Sequence, residues 1–198
     1  MIRSIGILIM IAGAFQQNPP AEAQRHQDVY AIYSAMMSYP PSLIYKNDDI
    51  LATVLAIESV TTPAMPNTPC ITPPPALADR WTEVLADFNA RKDSPRTLER
   101  DLKILNPYVY LKPDEVSNYV NPQKTPLSEA LAETETKDRK EVFTLSDVYF
   151  NKDRTLALSG VRVRCGTMCF SSQWRIYEKQ SNGEWKQVRP EKNCYMVA

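Results

Sequence analysis

The chain is short of the residues that most enzymes depend on. It has one histidine, His26, so catalysis by a nucleophile paired with a histidine base has almost nothing to draw on. It has five glycines and no phosphate-cradling glycine loop, and neither a G-x-S-x-G nor an H-E-x-x-H motif occurs. It has no excess of either charge, with 23 basic and 23 acidic side chains. Nucleic-acid binders show a basic surplus or stripe, and neither is present, so nucleic acid is set aside as a partner. No apolar run approaches the length needed to cross a membrane as a stable helix. These absences leave no catalytic residue to nominate and imply no cofactor.

What is present begins with a targeting segment. Arg3 supplies a short positive region and "IGILIMIAGAF" (5–15) an apolar run of signal-peptide length. "AEA" (21–23) offers the small-x-small pattern of a cleavage site, with Gln24 as the new N-terminus; Ala12 to Ala14 is a second site. Retention of the segment as an anchor is the other reading. No cysteine follows the apolar run, which argues against a lipid anchor. The expected organisation is a signal peptide over 1–23 and a single α+β domain over 24–198. The mature protein is expected in the periplasm or outside the cell, where disulfides persist, and not as an integral membrane protein.

Periodicity divides the chain in two. Val29, Ile32, Tyr33, Met36 and Met37 in "QDVYAIYSAMMSY" (27–39) fall on one helical face, and Pro40 and Pro41 stop that helix. "DILATVLAIESV" (49–60) is a continuous apolar run and reads as a buried strand. Six prolines in the fifteen residues 61–75 predict an extended connection along the surface. Leu77, Trp81, Val84, Leu85 and Phe88 predict a helix over 75–94, and 96–105 reads as a second, short one. Residues 108–120 read as a strand end and a turn of helix from Pro113, and 121–140 as a polar loop with one helical turn. From 141 the period becomes two. Strands are predicted over 141–151, 155–165, 170–179 and 184–190, with a hairpin at Asn182-Gly183. The expected architecture is α+β, with N-terminal helices covering one face of a C-terminal antiparallel four-stranded meander.

Cys165 and Cys169 flank Gly166-Thr167-Met168 at the join of two of these strands. Residues closing a hairpin lie about 4.5–5.5 Å apart across the ladder, a separation that a disulfide spans. A thioredoxin-type redox pair needs two intervening residues at a helix start. A zinc site needs two further ligands, for which Cys70, Cys194 and His26 are the only other cysteine or histidine candidates, and His26 lies in what reads as a flexible N-terminus. A structural disulfide is therefore favoured over redox work, metal binding or free thiols. Cys70 and Cys194 then form a second pair, although four cysteines allow three pairings and Cys194 joining the 165/169 pair is the rival.

The pieces "VYAIYSAMM", "LADFNARKDSPRTLERDL" and "LSDVYFNKDRTLALSGVRVRCGTMCFSSQWRIYEKQSNGEWKQV" resemble a recurring family of small exported bacterial proteins of uncharacterised function. Its signature is a Phe-Asn strand end, a Cys-Gly loop and an Asn-Gly-x-Trp-Lys hairpin. The resemblance implies a secreted α+β protein and transfers no catalytic residue. This chain lacks the second glycine that relatives often carry after Cys169.

Three groups of side chains remain as site candidates. Arg162 and Arg164 alternate with valines and so share one strand face; Arg175 is expected to join them across the hairpin, with Trp174 beside them, as a ligand-binding group. The competing reading is a solvated sheet face with acids nearby. Trp174, Trp185, Tyr177 and Tyr149 line either a groove or, more simply, a packed core. The carboxylates of "NDD" (47–49), Asp114, Glu115 and Asp147 are what a hydrolase built on paired acids would use, against the plainer roles of turn formation and capping. The expected function is a non-enzymatic exported binding or envelope-associated module of unknown partner, with a carboxylate-dependent hydrolase as the alternative.

Overall fold

The computed structural model describes residues 21–38, 54–62, 69–120, 140–165 and 169–193, together with the backbone of 195–197. The 47–49 carboxylates, most of 121–140, the 166–168 loop and Cys194 lie outside the described residues.

Three α-helices and one mixed sheet make up the described chain. The helices are α1 (Ala21–Ser38), α2 (Ala78–Arg91) and α3 (Pro113–Val120), with a 3₁₀ turn at Pro75–Leu77 leading into α2. The strands are β1 (Leu55–Glu58), β2 (Tyr108–Leu111), β3 (Val142–Leu145), β4 (Tyr149–Phe150), β5 (Leu156–Arg164), β6 (Phe170–Lys179), β7 (Trp185–Val188) and β8 (Tyr195–Val197). They form one sheet in the order β2-β1-β3-β5-β6-β7, with β4 on β5 and β8 on β6. The α+β class holds. The four-stranded meander does not stand alone, because β1 inserts between β2 and β3 and runs parallel to both.

The reason is visible in the burial of β1. All four of its residues are buried, as expected for a central strand with layers on both sides, which reads as an apolar run without alternation. The helices accordingly cover both faces rather than one. On the first face, Val29, Ile32, Tyr33, Met36 and Met37 of α1 pack on Leu55, Ile57, Phe143, Leu145, Val161 and Val163. On the second, Trp81, Val84 and Phe88 of α2 pack on Tyr149, Leu156, Leu158, Trp174 and Ile176. Val116 of α3 meets Ala56 and Val142 on that same second face.

The segment 96–105 is not a helix. Its backbone bonds instead to the continuation of β1, through Thr61 N to Arg96 O at 2.8 Å and Leu98 N to Ser59 O at 2.8 Å. A helix would have placed Leu98, Leu102 and Leu105 together. The extended path buries Leu98 and Leu102 and leaves Leu105 at 95% exposure. The proline-rich connection is likewise not wholly on the surface: Ile71 is buried against α2, and Thr72 bridges antiparallel to Lys192.

Cys165 and Cys169 are disulfide-bonded with Cα atoms 5.1 Å apart. Cys165 N donates to Cys169 O at 2.9 Å, the ladder bond that closes β5 on β6. Cys70 is also disulfide-bonded. At the β6–β7 hairpin only Gly183 takes positive φ, at +86°; the Asn182 side chain instead accepts from Glu184 N at 3.1 Å.

Candidate functional site

The four side chains first nominated for ligand binding do not form one group. Strand register sets Arg162 opposite Ser172 and Gly160 opposite Trp174, on the face under α2 and α3. Arg175 pairs opposite Ser159 and so points to the other face, where it donates to Met36 O at 3.4 Å. Trp174 is buried in the core, edge-on to Phe88. Arg164 is committed to Glu58 at 3.1 Å, and Thr144 donates to the same carboxylate at 2.6 Å. The Arg162 guanidinium is pushed below its ordinary value by burial and then by Arg164. Trp185, Tyr177 and Tyr149 are likewise buried and pack rather than line a groove. Asp114 and Glu115 occupy the exposed first turn of α3, where Glu115 accepts from Lys112 N at 2.8 Å, a capping role.

Asp147 is different, and its position traces to a slip in the strand pattern. Phe143 and Leu145 face α1, and continued alternation would send residue 147 the same way. Instead Val148 and Phe150 join that core. Leu145 pairs with Val161 and Tyr149 with Leu158, so Ser146, Asp147 and Val148 oppose only Ser159 and Gly160. This is a β-bulge, and bulges re-aim side chains. Ser146 pins it: its Oγ accepts from Gly160 N at 2.7 Å, and its carbonyl accepts from Tyr33 Oη at 2.8 Å.

The bulge delivers Asp147 to a cleft of about 640 Å³ lined by Arg25, His26, Arg91, Arg96, Arg154 and Asp147. Arg25 and His26 come from the start of α1, Arg91 from the end of α2, and Arg96 from the extended segment after it. Arg154 comes from the β4–β5 turn. There Asn151 Oδ1 accepts from the Thr155 and Leu156 amides at 2.8 Å each, and this clasp holds Arg154 in the left-handed region at φ 50°. A second cleft of about 480 Å³ adjoins the first, sharing Arg25 and Arg154 and continuing past Phe150, Ala86 and Thr82.

Most of the charges in the cleft are engaged. Arg91 forks onto Asp87 at 2.6 and 2.5 Å, reaches Val148 O at 2.8 Å, and bonds Asp147. Asp147 also accepts from Val148 N at 2.8 Å and lies 3.6 Å from Arg96. Arg154 donates to Ala21 O at 2.9 Å and stands 3.5 Å from Asp28, which is itself held by Lys179 at 2.6 Å. Burial opposes ionisation of Asp87, but the Arg91 and Phe150 hydrogen bonds outweigh it and hold the carboxyl below its ordinary value. His26 is not in a loose tail. It lies in α1, 3.3 Å from Glu99, with its ring 4.6 Å from that of Tyr30.

Arg25 is the exception. Among the described residues no carboxylate lies within ion-pair distance of it. Its terminal nitrogen reaches Val148 O at 3.4 Å, its Nε is buried without a hydrogen-bond partner, and it sits 5.8 Å over the Phe150 ring. Burial, then the neighbouring Arg91, pushes it below its ordinary value.

The arginine cleft was missed in the sequence because its members are spread from residue 25 to residue 154. The one local signal was the parity slip at 145–148. Among the described residues no cluster of three or more His, Cys, Asp or Glu side chains could hold a metal ion, and no helix is long and apolar enough to cross a membrane. No family model, curated protein or solved structure matches the chain.

Proposed function

We propose that the chain is an exported, non-enzymatic binding module and that the arginine-lined cleft holds its ligand. The observation that carries this is the cleft itself: a cavity of about 640 Å³, within the range of small-molecule sites, lined by four guanidinium groups from separate elements. Export is supported by the leader-like segment 1–23 and by disulfide-bonded cysteines, which persist outside the cytoplasm. The resemblance to small exported bacterial proteins points the same way.

The carboxylate-hydrolase alternative meets an obstacle in this cleft. Acid–base hydrolysis by two carboxyls needs one kept protonated. Asp87 and Asp147 share Arg91 instead, and the Asp87 carboxyl is held below its ordinary value by that contact. The test is a screen of small solutes, charged and neutral, for thermal protection and for turnover. Protection by a solute that also shields the cleft side chains from chemical labelling is the expected result. Turnover abolished by Asp147→Asn would replace this reading with the hydrolase.

A further inference from the structure

Resting on the reading of this cleft as the binding site, we infer that Arg25 clamps the oxyanion head of a small ligand, a carboxylate, phosphate or sulfate, with Arg96 and Arg154 beside it. The neutral body of that ligand then lies in the adjoining cleft along Phe150. The argument starts from charge. Arg91, Arg96, Arg154 and Lys179 are ion-paired with Asp28, Asp87 or Asp147, whereas Arg25 has no such partner among the described residues. Glu22 and Glu99 are at the rim but exposed, so water screens them.

The guanidinium left outside these pairs is that of Arg25. A half-buried guanidinium beside a second one, with a buried Nε and no carboxylate within ion-pair distance, costs folding free energy that the Val148 carbonyl, the Phe150 ring and the more distant Asp147 and Asp87 charges offset only in part, since burial and Arg91 still leave it below its ordinary value. The fork geometry of arginine matches an oxyanion through two parallel N–H donors, which a lone lysine would not supply. Arg96 is 45% exposed and holds Asp147 only at 3.6 Å, so it can turn toward an incoming anion. Arg154 spends one terminal nitrogen on a backbone carbonyl and is held in place by its own turn. The two clefts meet at Arg25 and Arg154, which puts the charged head at the junction; beyond it lie Phe150 and Ala86, flanked by Glu83, Asp87, Asn151 and Lys152, a lining that suits a neutral body with polar groups. If processing cuts after Ala23, it removes Glu22 from the rim and the Ala21 carbonyl from Arg154, and the cleft lining becomes more positive.

The test uses inorganic phosphate and sulfate as probes, against sodium chloride at matched ionic strength, with melting temperature and calorimetric titration as readouts. The wild-type chain should be stabilised by millimolar phosphate or sulfate beyond the chloride control. Arg25→Met keeps the side-chain stem on Phe150 but removes the charge. It should melt no lower than wild type in chloride and bind either probe at least tenfold more weakly. Arg25→Lys, which keeps the charge and loses the fork, should fold and still bind several-fold more weakly. Arg96→Gln should weaken binding with a chloride melting temperature within about 4 °C of wild type. The inference is overturned if Arg25→Met melts lower and keeps the anion response, or if wild type responds only as it does to chloride. Should a neutral solute protect the cleft while neither oxyanion does, the clamp falls and the binding module stands. Should no solute protect it, both fall.

Discussion

Replacing Asp147 by Asn tests whether the bulge carboxylate holds this cleft together. Asp147 is 4% exposed, and its partners are Arg91, Arg96 and the Val148 amide. Asparagine can keep an oxygen for the amide, but it removes the charge and turns an Nδ2 donor toward the Arg91 guanidinium. Breaking a buried ion pair from one side costs about 3–5 kcal/mol, because a charge is left uncompensated. Here Arg91 keeps its fork onto Asp87, so the lower end applies. The Arg96 pair, with Arg96 at 45% exposure, adds under about 1 kcal/mol in either direction. The expected loss is about 3 kcal/mol. For a domain of this size, at about 2–4 °C per kcal/mol, that lowers the melting temperature by roughly 6–12 °C. Denaturant titration and calorimetry measure it directly. A double-mutant cycle with Arg91→Met should give a coupling above about 1 kcal/mol, since the two side chains are in contact. A loss within about 0.5 kcal/mol, as at an ordinary surface site, would refute the claim that Asp147 anchors the cluster.

Three other outcomes are expected. The Asp87 carboxyl is held below its ordinary value of 3.8, so its contribution is present above that range and lost as pH falls through the lowered folded value; Asp87→Asn should flatten the acid limb of a stability–pH curve, and an unchanged limb would contradict the pairing. Burial pushes the Tyr33, Tyr149 and Tyr177 hydroxyls up, so the stability they contribute holds below about pH 10 and is lost above it as the unfolded chain ionises. A 295 nm absorbance titration should therefore show three tyrosines ionising only with loss of near-ultraviolet circular dichroism. Of the disulfides, that of Cys70 lies beside the Thr72–Lys192 antiparallel bridge. Non-reducing peptide mapping should find Cys70 with Cys194 and Cys165 with Cys169. By loop entropy the first is worth about 5 kcal/mol and the second about 2, so mutating Cys70 should cost clearly more than mutating Cys169.

Local elements were readable where the chemistry is local. The α1 stripe from Val29 to Met37 and the α2 stripe from Trp81 to Phe88 are buried as their spacing requires. Strands β5, β6 and β7 fall within a residue or two of the predicted spans. The Cys165–Cys169 bond closes the hairpin that the alternation on either side implies. Residues 96–105 were misread because leucine spacing favours a helix, while hydrogen bonds from a strand far away in sequence favour an extended chain. Arg175 falls outside the Arg162 group because position along a strand does not reveal its partner's register; pairing with Ser159 rather than with an even-numbered residue on the Arg162 face sends it to the other side.

The sequence by itself determined the helical and two-residue periods, the turn at Gly183 and the sulfur staple, because each depends on contacts within a few residues. Only the tertiary structure decided that β1 lies between two parallel neighbours, that helices cover both faces, and that Arg25, Arg91, Arg96 and Arg154 line one cleft with Asp147. Those arrangements join residues separated by tens of positions, and the burial that makes an unpaired guanidinium costly exists only once the layers have closed over it.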